Sequence, residues 1–303
     1  MYTFDFKLGP GSFIGEAYLY LGRDGDRRFH FDYQKFDVPL QDLRHTTEKP
    51  TLKDHGFTFV TDRHVKGLNP SNHFSHRNRA ALEADSVELV KKLTGAKRAF
   101  AFTSSFRDHR LHGPGPNPAI HSDFSLKGAT WIKEKVKRDL ANSGDPSKID
   151  FAAGMMGGAD VVILKVWRPI IPVRRNHLGI CKWDSILEED APKWKIVPTD
   201  YDNAVQPWKY RNGQQWYFLS YQQPHEVFVM MQHDSSAVDH HGINVPHAAF
   251  NLKGHRSELP RPSYETKVIA IINESPPSFR EQIRSSLSLS KISTKLYPGS
   301  LEN

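Results

Sequence analysis

Residues 78–94 carry apolar side chains at helical spacing, with Leu82, Val87, Leu89, Val90 and Leu93 forming one stripe. Gly95 follows directly, where a helix C-terminus favours glycine. Residues 126–142 repeat the pattern with Trp131, Ile132, Val136 and Leu140 on one face, and Asn142-Ser143-Gly144-Asp145-Pro146 stops it. Two helices are predicted there. Phe57 to Val60 and Ala99 to Phe102 read as strands. After residue 150 the period changes. Val161 to Trp167, Gln215 to Ser220, Glu226 to Met231 and Val268 to Ile272 are short, β-branched or aromatic, and separated by turns. Residues 150–272 are therefore expected to be mostly strand. Short strands at this spacing predict a sandwich or barrel. With the helices gathered early, the expectation is a mainly β chain with supporting helices (α+β), folded as a jelly roll, the double-stranded β-helix. The pattern gives one domain over 1–273, its N-terminal part helical or irregular support. A Ser-rich tail follows over 274–303, with room for one short helix from Phe279 to Ile292.

Composition changes this picture little. At 38% hydrophobic and 25% charged, the 303 residues are ordinary for a globular protein, which excludes disorder of the whole chain. The net charge of +7 raises nucleic acid as a partner. The basic residues are scattered, however, and the densest run, Lys133 to Arg138, reads as the wet face of a helix. No nucleic-acid partner is expected. Cys181 is the one cysteine, which excludes an internal disulfide framework and fits a reducing compartment. Met1 to Lys7 has no apolar core of a signal peptide, and no run approaches the roughly 20 apolar residues that cross a bilayer. A cytoplasmic protein without a membrane partner is expected. The pattern specifies no oligomeric state.

Candidate chemistry begins with histidine. With 16 histidines and 21 aspartates, chance alone predicts roughly one His-x-Asp. There are two: His30-Phe31-Asp32 and His121-Ser122-Asp123. The first sits in an aromatic run far from the strand-rich half and reads as a chance pair. The second follows a rigid Gly-Pro-rich entry, residues 113–118, and ends a short segment just before a helix. In a strand, residues i and i+2 share a face, so an imidazole and a carboxylate would converge on one point. That is two-thirds of a facial metal triad. The third ligand could come from His177, His225, His233, His240, His241, His247 or His255. His247 has the most suitable surroundings, a strand-like run whose small neighbours Ala248 and Ala249 leave room for an ion. Fourteen residues on, Arg261-Pro262-Ser263 puts a guanidinium and a hydroxyl on one face, a pair that suits a carboxylate. A salt-bridging surface arginine is the favoured reading of Arg261 taken alone. Arg256, in a polar Gly-containing loop, is expected to be solvated. Arg168, Glu265 and Lys267 are either inward polar groups or members of a structural ion-pair network.

These segments also occur in a recognisable order. His121-Ser-Asp-Phe-Ser-Leu-Lys-Gly-Ala129, Val166-Trp167-Arg168-Pro169, Gln215-Trp216-Tyr217, Pro224-His225-Glu226-Val227, Val245-Pro246-His247 and Arg261-Pro262-Ser263-Tyr264-Glu265 are collinear over about residues 95–270. Together they resemble the fungal hydroxylase/desaturase family typified by gibberellin GA4 desaturase and the AsaB-like enzymes. The resemblance implies a double-stranded β-helix, Fe(II) as cofactor and 2-oxoglutarate with O2 as co-substrates. It implies His121, Asp123 and His247 as metal ligands, and Arg261 with Ser263 as the 2-oxoglutarate anchor. The implied activity is hydroxylation, desaturation or oxidative ring formation on a small-molecule metabolite, in secondary-metabolite biosynthesis. Two departures bear on the substrate: Lys267 stands where relatives carry arginine, and His177-Leu178 where they carry Pro-Leu. The alternatives are a jelly-roll metal-dependent hydrolase or isomerase that does not use 2-oxoglutarate, and a non-catalytic binding module on the same fold.

Overall fold

The computed structural model describes residues 12–22, 31–47, 49–68, 72–108, 115–156, 159–192, 197–201, 203–237, 244–252 and 259–273. In chain order, β1 (Ser12–Gly22) and β2 (Phe31–Asp42) form a long antiparallel pair. The short helix α1 (Leu52–His55), β3 (Phe57–Val60), α2 (His76–Thr94) and β4 (Arg98–Arg107) follow. A strand of only two residues, β5 (His121–Ser122), leads into α3 (Leu126–Ala141) and α4 (Pro146–Gly154). The remainder is β6 (Asp160–Pro169), β7 (His177–Cys181), β8 (Gln206–Pro207), β9 (Trp216–Phe218), β10 (Val227–Asp234), β11 (His247–Leu252) and β12 (Ser263–Asn273).

One sheet runs β1-β2-β9-β7-β11-β5-β8 and the other β3-β10-β6-β12-β4. Take β4, β5, β6, β7, β9, β10, β11 and β12 as first to eighth. The second sheet then reads sixth-third-eighth-first and the first sheet fifth-fourth-seventh-second. That is the strand order of a jelly roll, as the sequence pattern predicts. The order makes β5 and β11 neighbours although their first members, His121 and His247, stand 126 positions apart in the sequence.

The two faces of the second sheet explain where chemistry can sit. On its outer face Val162, Leu164, Val166, Val268 and Ala270 pack under Leu89 and Val90 of α2. Burying each of these valine and leucine side chains contributes about 1.5–3 kcal/mol. On its inner face Ile163, Ile269 and Ile271 pack with Ile132, Val136 and Leu140 of α3 and Phe151 of α4, closing one end. Further along the same inner face the residues become Lys165, Glu265 and Lys267, all turned toward the first sheet. Period-2 alternation therefore gives each of β6 and β12 one largely apolar face under α2 and one face that grades from apolar to charged.

Three expectations need correction. The N-terminal part carries strand as well as the helical support of α2: β1 and β2 extend the first sheet, β2 pairing in parallel with β9. Asn142 to Pro146 ends α3, but it also starts α4, because Asp145 accepts from the Ser147 amide and Pro146 stands in the first turn. Residues 150–272 are less than mostly strand. Between β7 and β9 the described residues include two 3-10 turns and only the two-residue strand β8. The tail 274–303 lies outside the described residues.

Gly128, in the first turn of α3, lies against the Ala204 carbonyl, which also accepts from the Ser125 amide at 2.7 Å. A Cβ at Gly128 would run into that oxygen. Gly128→Ala should destabilise the protein by about 1–3 kcal/mol, the usual cost of overpacking. Urea denaturation checks this, and an unchanged midpoint would refute the close packing of α3 on residue 204.

Candidate metal centre

His121 and His247 are direct cross-strand partners on β5 and β11. Such partners hold their Cβ atoms about 5 Å apart on one face. Their ring centroids lie 4.5 Å apart. Asp123 lies just beyond the end of β5, so its orientation does not come from strand period alone. Its amide donates to Oε1 of Gln232 on β10 at 2.9 Å. Asn244 donates to the Phe124 carbonyl. Ser122 donates to the Asn244 carbonyl at 3.0 Å, and the Trp208 indole donates to Ser122 at 2.7 Å. Ser125 then caps α3 by accepting from the Gly128 amide. The turn is held on both sides, and it sends the Asp123 carboxylate back toward the two rings.

His121, Asp123 and His247 each offer a ligand atom, and these atoms all lie within 4.8 Å of one another. Nε2 of His247 is 3.6 Å and Nε2 of His121 is 3.8 Å from Oδ1 of Asp123. Among the described residues this is the one group of His, Cys, Asp or Glu with such convergence. Nδ1 of His121 lies 2.8 Å from the Ala119 carbonyl, and Nδ1 of His247 lies 3.1 Å from the Val245 carbonyl. A carbonyl can only accept, so each Nδ1 carries the proton and each Nε2 lone pair faces the shared centre. That is the arrangement in which outer hydrogen bonds fix a ligating imidazole. Oδ2 of Asp123 is buried and accepts no hydrogen bond. Two neutral nitrogens and a carboxylate fit a divalent ion, iron(II) included.

The electrostatics favour that protonation. Burial, then the neighbouring His247, push His121 down to about 3. Burial, then the Lys165 ammonium, lower His247 as well. For Asp123 burial alone would raise the pKa, but Lys165, Lys267 and the His247 contact together hold it well below the usual carboxylate range. The same contest at Glu265 is won by Lys165, Arg107 and Lys267.

Arg261 is 3% exposed. Its Nη1 donates to Ser263 at 2.8 Å and its Nε to the Asn176 carbonyl at 2.7 Å, and the guanidinium stacks 4.3 Å over Trp167. Among the described residues no carboxylate pairs with it. Burial, then nearby Arg107, pull its pKa down to about 9. A buried cation without a counter-ion is costly, and an anionic ligand would relieve the cost. The cleft beside the triad is lined by Arg107, Trp167, Leu178, Ala248, Ala249 and Arg261.

The other sequence candidates separate cleanly. Glu265 and Lys267 do point inward. Arg168 does not: it pairs with Asp85 of α2 at 2.5 Å on the outer face, a structural ion pair. His225 stacks on His64 at 4.8 Å, and His177 packs edge-on to Phe218. His233 is buried on β10 and does not join the triad. His30, His240, His241, His255 and Arg256 lie outside the described residues. Lys165 and Arg107 escaped the sequence reading. A signal for Lys165 existed: it is the one charge inside the apolar run Val161 to Trp167.

A family model described as "YDMC: Oxidoreductase/YMDC permease-like domain" matches residues 14–271. The chain belongs to this family. Within it, the resemblance to fungal hydroxylase/desaturases is borne out by relatives of low identity. The alpha-ketoglutarate-dependent dioxygenase tstK of Talaromyces stipitatus is 23% identical over 246 residues, covering 77% of this chain and 84% of the relative. The gibberellin cluster GA4 desaturase of Gibberella fujikuroi is 26% identical over 299 residues, covering 77% and 86%. Among solved structures, the iron and alpha-ketoglutarate-dependent endoperoxidase NvfI is similar with a TM-score of 0.66 at 21% identity, covering 87% of this chain and 99% of that one. That structure thus shares the fold described above. Among the described residues, no helix is long and apolar enough to cross a membrane.

The lowered histidine pKa values set a pH dependence. As pH falls through about 6.5, the unfolded chain takes up protons at His121 and His247 that the folded chain refuses, so stability falls on acidification. Each histidine contributes up to about 1.4 kcal/mol per pH unit. Below about pH 4, Asp123 and Glu265 add to the loss, because their folded pKa values lie under their unfolded ones. The melting temperature should decline from pH 7 to 5. Replacing both histidines by glutamine should flatten that decline, and an equally steep slope in the double variant would contradict the neutral, buried pair.

Proposed function

We propose that this chain is an iron(II)- and 2-oxoglutarate-dependent oxygenase that oxidises a small-molecule metabolite with O2, in secondary-metabolite biosynthesis. Residues 1–273 act as one catalytic domain, and the tail 274–303 lies outside it. His121, Asp123 and His247 are the metal ligands. Arg261 and Ser263 are the anchor for the distal carboxylate of 2-oxoglutarate. The protein works in the cytoplasm, with neither nucleic acid nor membrane as a partner. The observation that carries this reading is the convergence of two Nε2 lone pairs and one carboxylate beside a buried arginine that has no carboxylate paired with it among the described residues. The names of the relatives support the choice of iron and 2-oxoglutarate over a hydrolytic metal site.

When bound, iron(II) supplies the redox chemistry that couples oxidative decarboxylation of 2-oxoglutarate to oxidation of a substrate by O2. The protein's residues supply position. The Ala119 and Val245 carbonyls hold both imidazoles in the tautomer that presents Nε2. The Arg261 guanidinium is kept flat by Trp167 and braced by Ser263 and the Asn176 carbonyl, so it meets a carboxylate already oriented. Ala248 and Ala249 keep the wall beside His247 low. Trp167 and Leu178 give the cleft an apolar side that excludes water.

His121→Ala, Asp123→Ala and His247→Ala should each abolish succinate release coupled to O2 uptake against a panel of small metabolites, and each should weaken Fe(II) binding sharply. Metal-dependent turnover without O2 uptake or succinate would favour the hydrolase or isomerase reading instead.

Arg261→Leu should raise the 2-oxoglutarate concentration needed for half-maximal turnover by at least about tenfold, equivalent to about 1.4 kcal/mol. Iron binding should barely change, and Arg256→Leu should have little effect. The opposite ranking of the two arginines in 2-oxoglutarate titrations would remove Arg261 from this role.

A further inference from the structure

Lys165 is only 2% exposed, in the middle of β6. Its ammonium has three protons to give. They meet three acceptors: Oε2 of Glu265 at 2.9 Å, Oδ1 of Asp123 at 3.2 Å and Nε2 of His247 at 3.2 Å. Two of those acceptors are the atoms that converge in the triad.

Nε2 of a neutral imidazole has one lone pair. Accepting a proton from Lys165 and binding a metal are therefore alternatives at His247. Asp123 Oδ1 faces the same choice in charge, because an ammonium and a dication on one oxygen repel each other. The spacing agrees. Ligands at right angles with bonds near 2.1 Å stand about 3.0 Å apart. The observed separations to Asp123 Oδ1, 3.6 Å from His247 and 3.8 Å from His121, are wider than that. Glu265 offers Lys165 a second position. Its other oxygen is held by Arg107 at 2.9 Å and by Ser105 at 3.1 Å, so the carboxylate stays in place whichever way the lysine turns.

We propose that Lys165 is a built-in competitor for the metal site. Its ammonium caps Asp123 and His247, a divalent ion must displace it onto Glu265, and this exchange sets the metal affinity of the chain. The inference rests on the assignment of His121, Asp123 and His247 as ligands. It goes beyond that assignment by giving Lys165 and Glu265 opposing effects on metal affinity. Lys165 is a positioning residue in this sense, since it acts through Asp123 and His247.

Calorimetric titration of the chelator-stripped full chain with Co(II) tests it without turnover. Lys165→Met should bind Co(II) at least tenfold more tightly than wild type, and Lys165→Asn should do the same if the methionine variant folds poorly. Glu265→Gln should weaken binding at least threefold, because the lysine loses its second position. In the Lys165→Met background that effect of Glu265→Gln should largely disappear. Melting temperatures give a second readout: stripped Lys165→Met should melt below stripped wild type, and Co(II) should raise its melting temperature by more. Wild-type binding of Co(II) that is equal to or tighter than that of both Lys165 variants would overturn the competition while leaving the triad assignment standing. Failure of wild type and both variants to bind Co(II) would remove the triad assignment itself, and the inference with it.

Discussion

The ionised carboxylate of Asp123, held at 5% exposure between two sheets, dictates the polar architecture around it. A buried charge is tolerable only with partners close by. Lys165 and Lys267 reach it from β6 and β12. The buried ammonium of Lys165 needs compensation in turn, and Glu265 supplies it at 2.9 Å. Glu265 is then balanced by Arg107 on β4. A chain of alternating charges thus crosses three adjacent strands of the second sheet. Each member is explained by the one before it, and the series starts at the carboxylate that the His121-Ser122-Asp123 turn pushes inward.

This division of labour follows from the sheet order. The first sheet contributes the two imidazoles through a single cross-strand pair. The second contributes the surrounding charge, from Arg107, Lys165, Glu265 and Lys267. Gln232 and Asp123 tie the two together by one hydrogen bond. Neither sheet carries a site alone. The jelly-roll connection, which sends successive strands to opposite sheets everywhere except from β7 to β9, is what lets residues 107, 121, 165, 232, 247 and 265 meet in one small volume.

The legible parts of the site were those with a local mark. His121 and Asp123 stand at i and i+2 after a Gly-Pro-rich entry, and His247 has alanine neighbours. Arg261 and Ser263 repeat the i, i+2 relation, and their side chains do touch. Glu265 and Lys267 continue the same inward face, but whether such residues serve a site or a surface ion-pair network depends on what the other sheet presents. Lys165 and Arg168 show why the faces cannot be assigned without register. They lie three residues apart on one strand, so they face opposite ways. One meets the triad and the other meets Asp85 of α2. A lysine within an apolar strand reads as the solvent side until both faces are known to be covered.

The parts of the fold that stayed hidden share a physical cause. The order of β5 and β11 as neighbours, like the parallel pairing of β2 with β9, is fixed by contacts between residues far apart in sequence. Ser12 to Gly22 mixes glycine, alanine and large apolar residues without clean alternation, so period-2 reading has no purchase on β1. A strand of two residues such as β5 has no period at all. Its direction is set by the cross-strand partner and by the hydrogen bonds of Ser122, Asn244 and Gln232 that grip the turn after it. The segment proposed to carry two of the ligands therefore has little secondary structure of its own. Its geometry is imposed by the two sheets that close around it, which makes the polar grip on residues 122–124 as necessary to a metal centre as the ligands themselves.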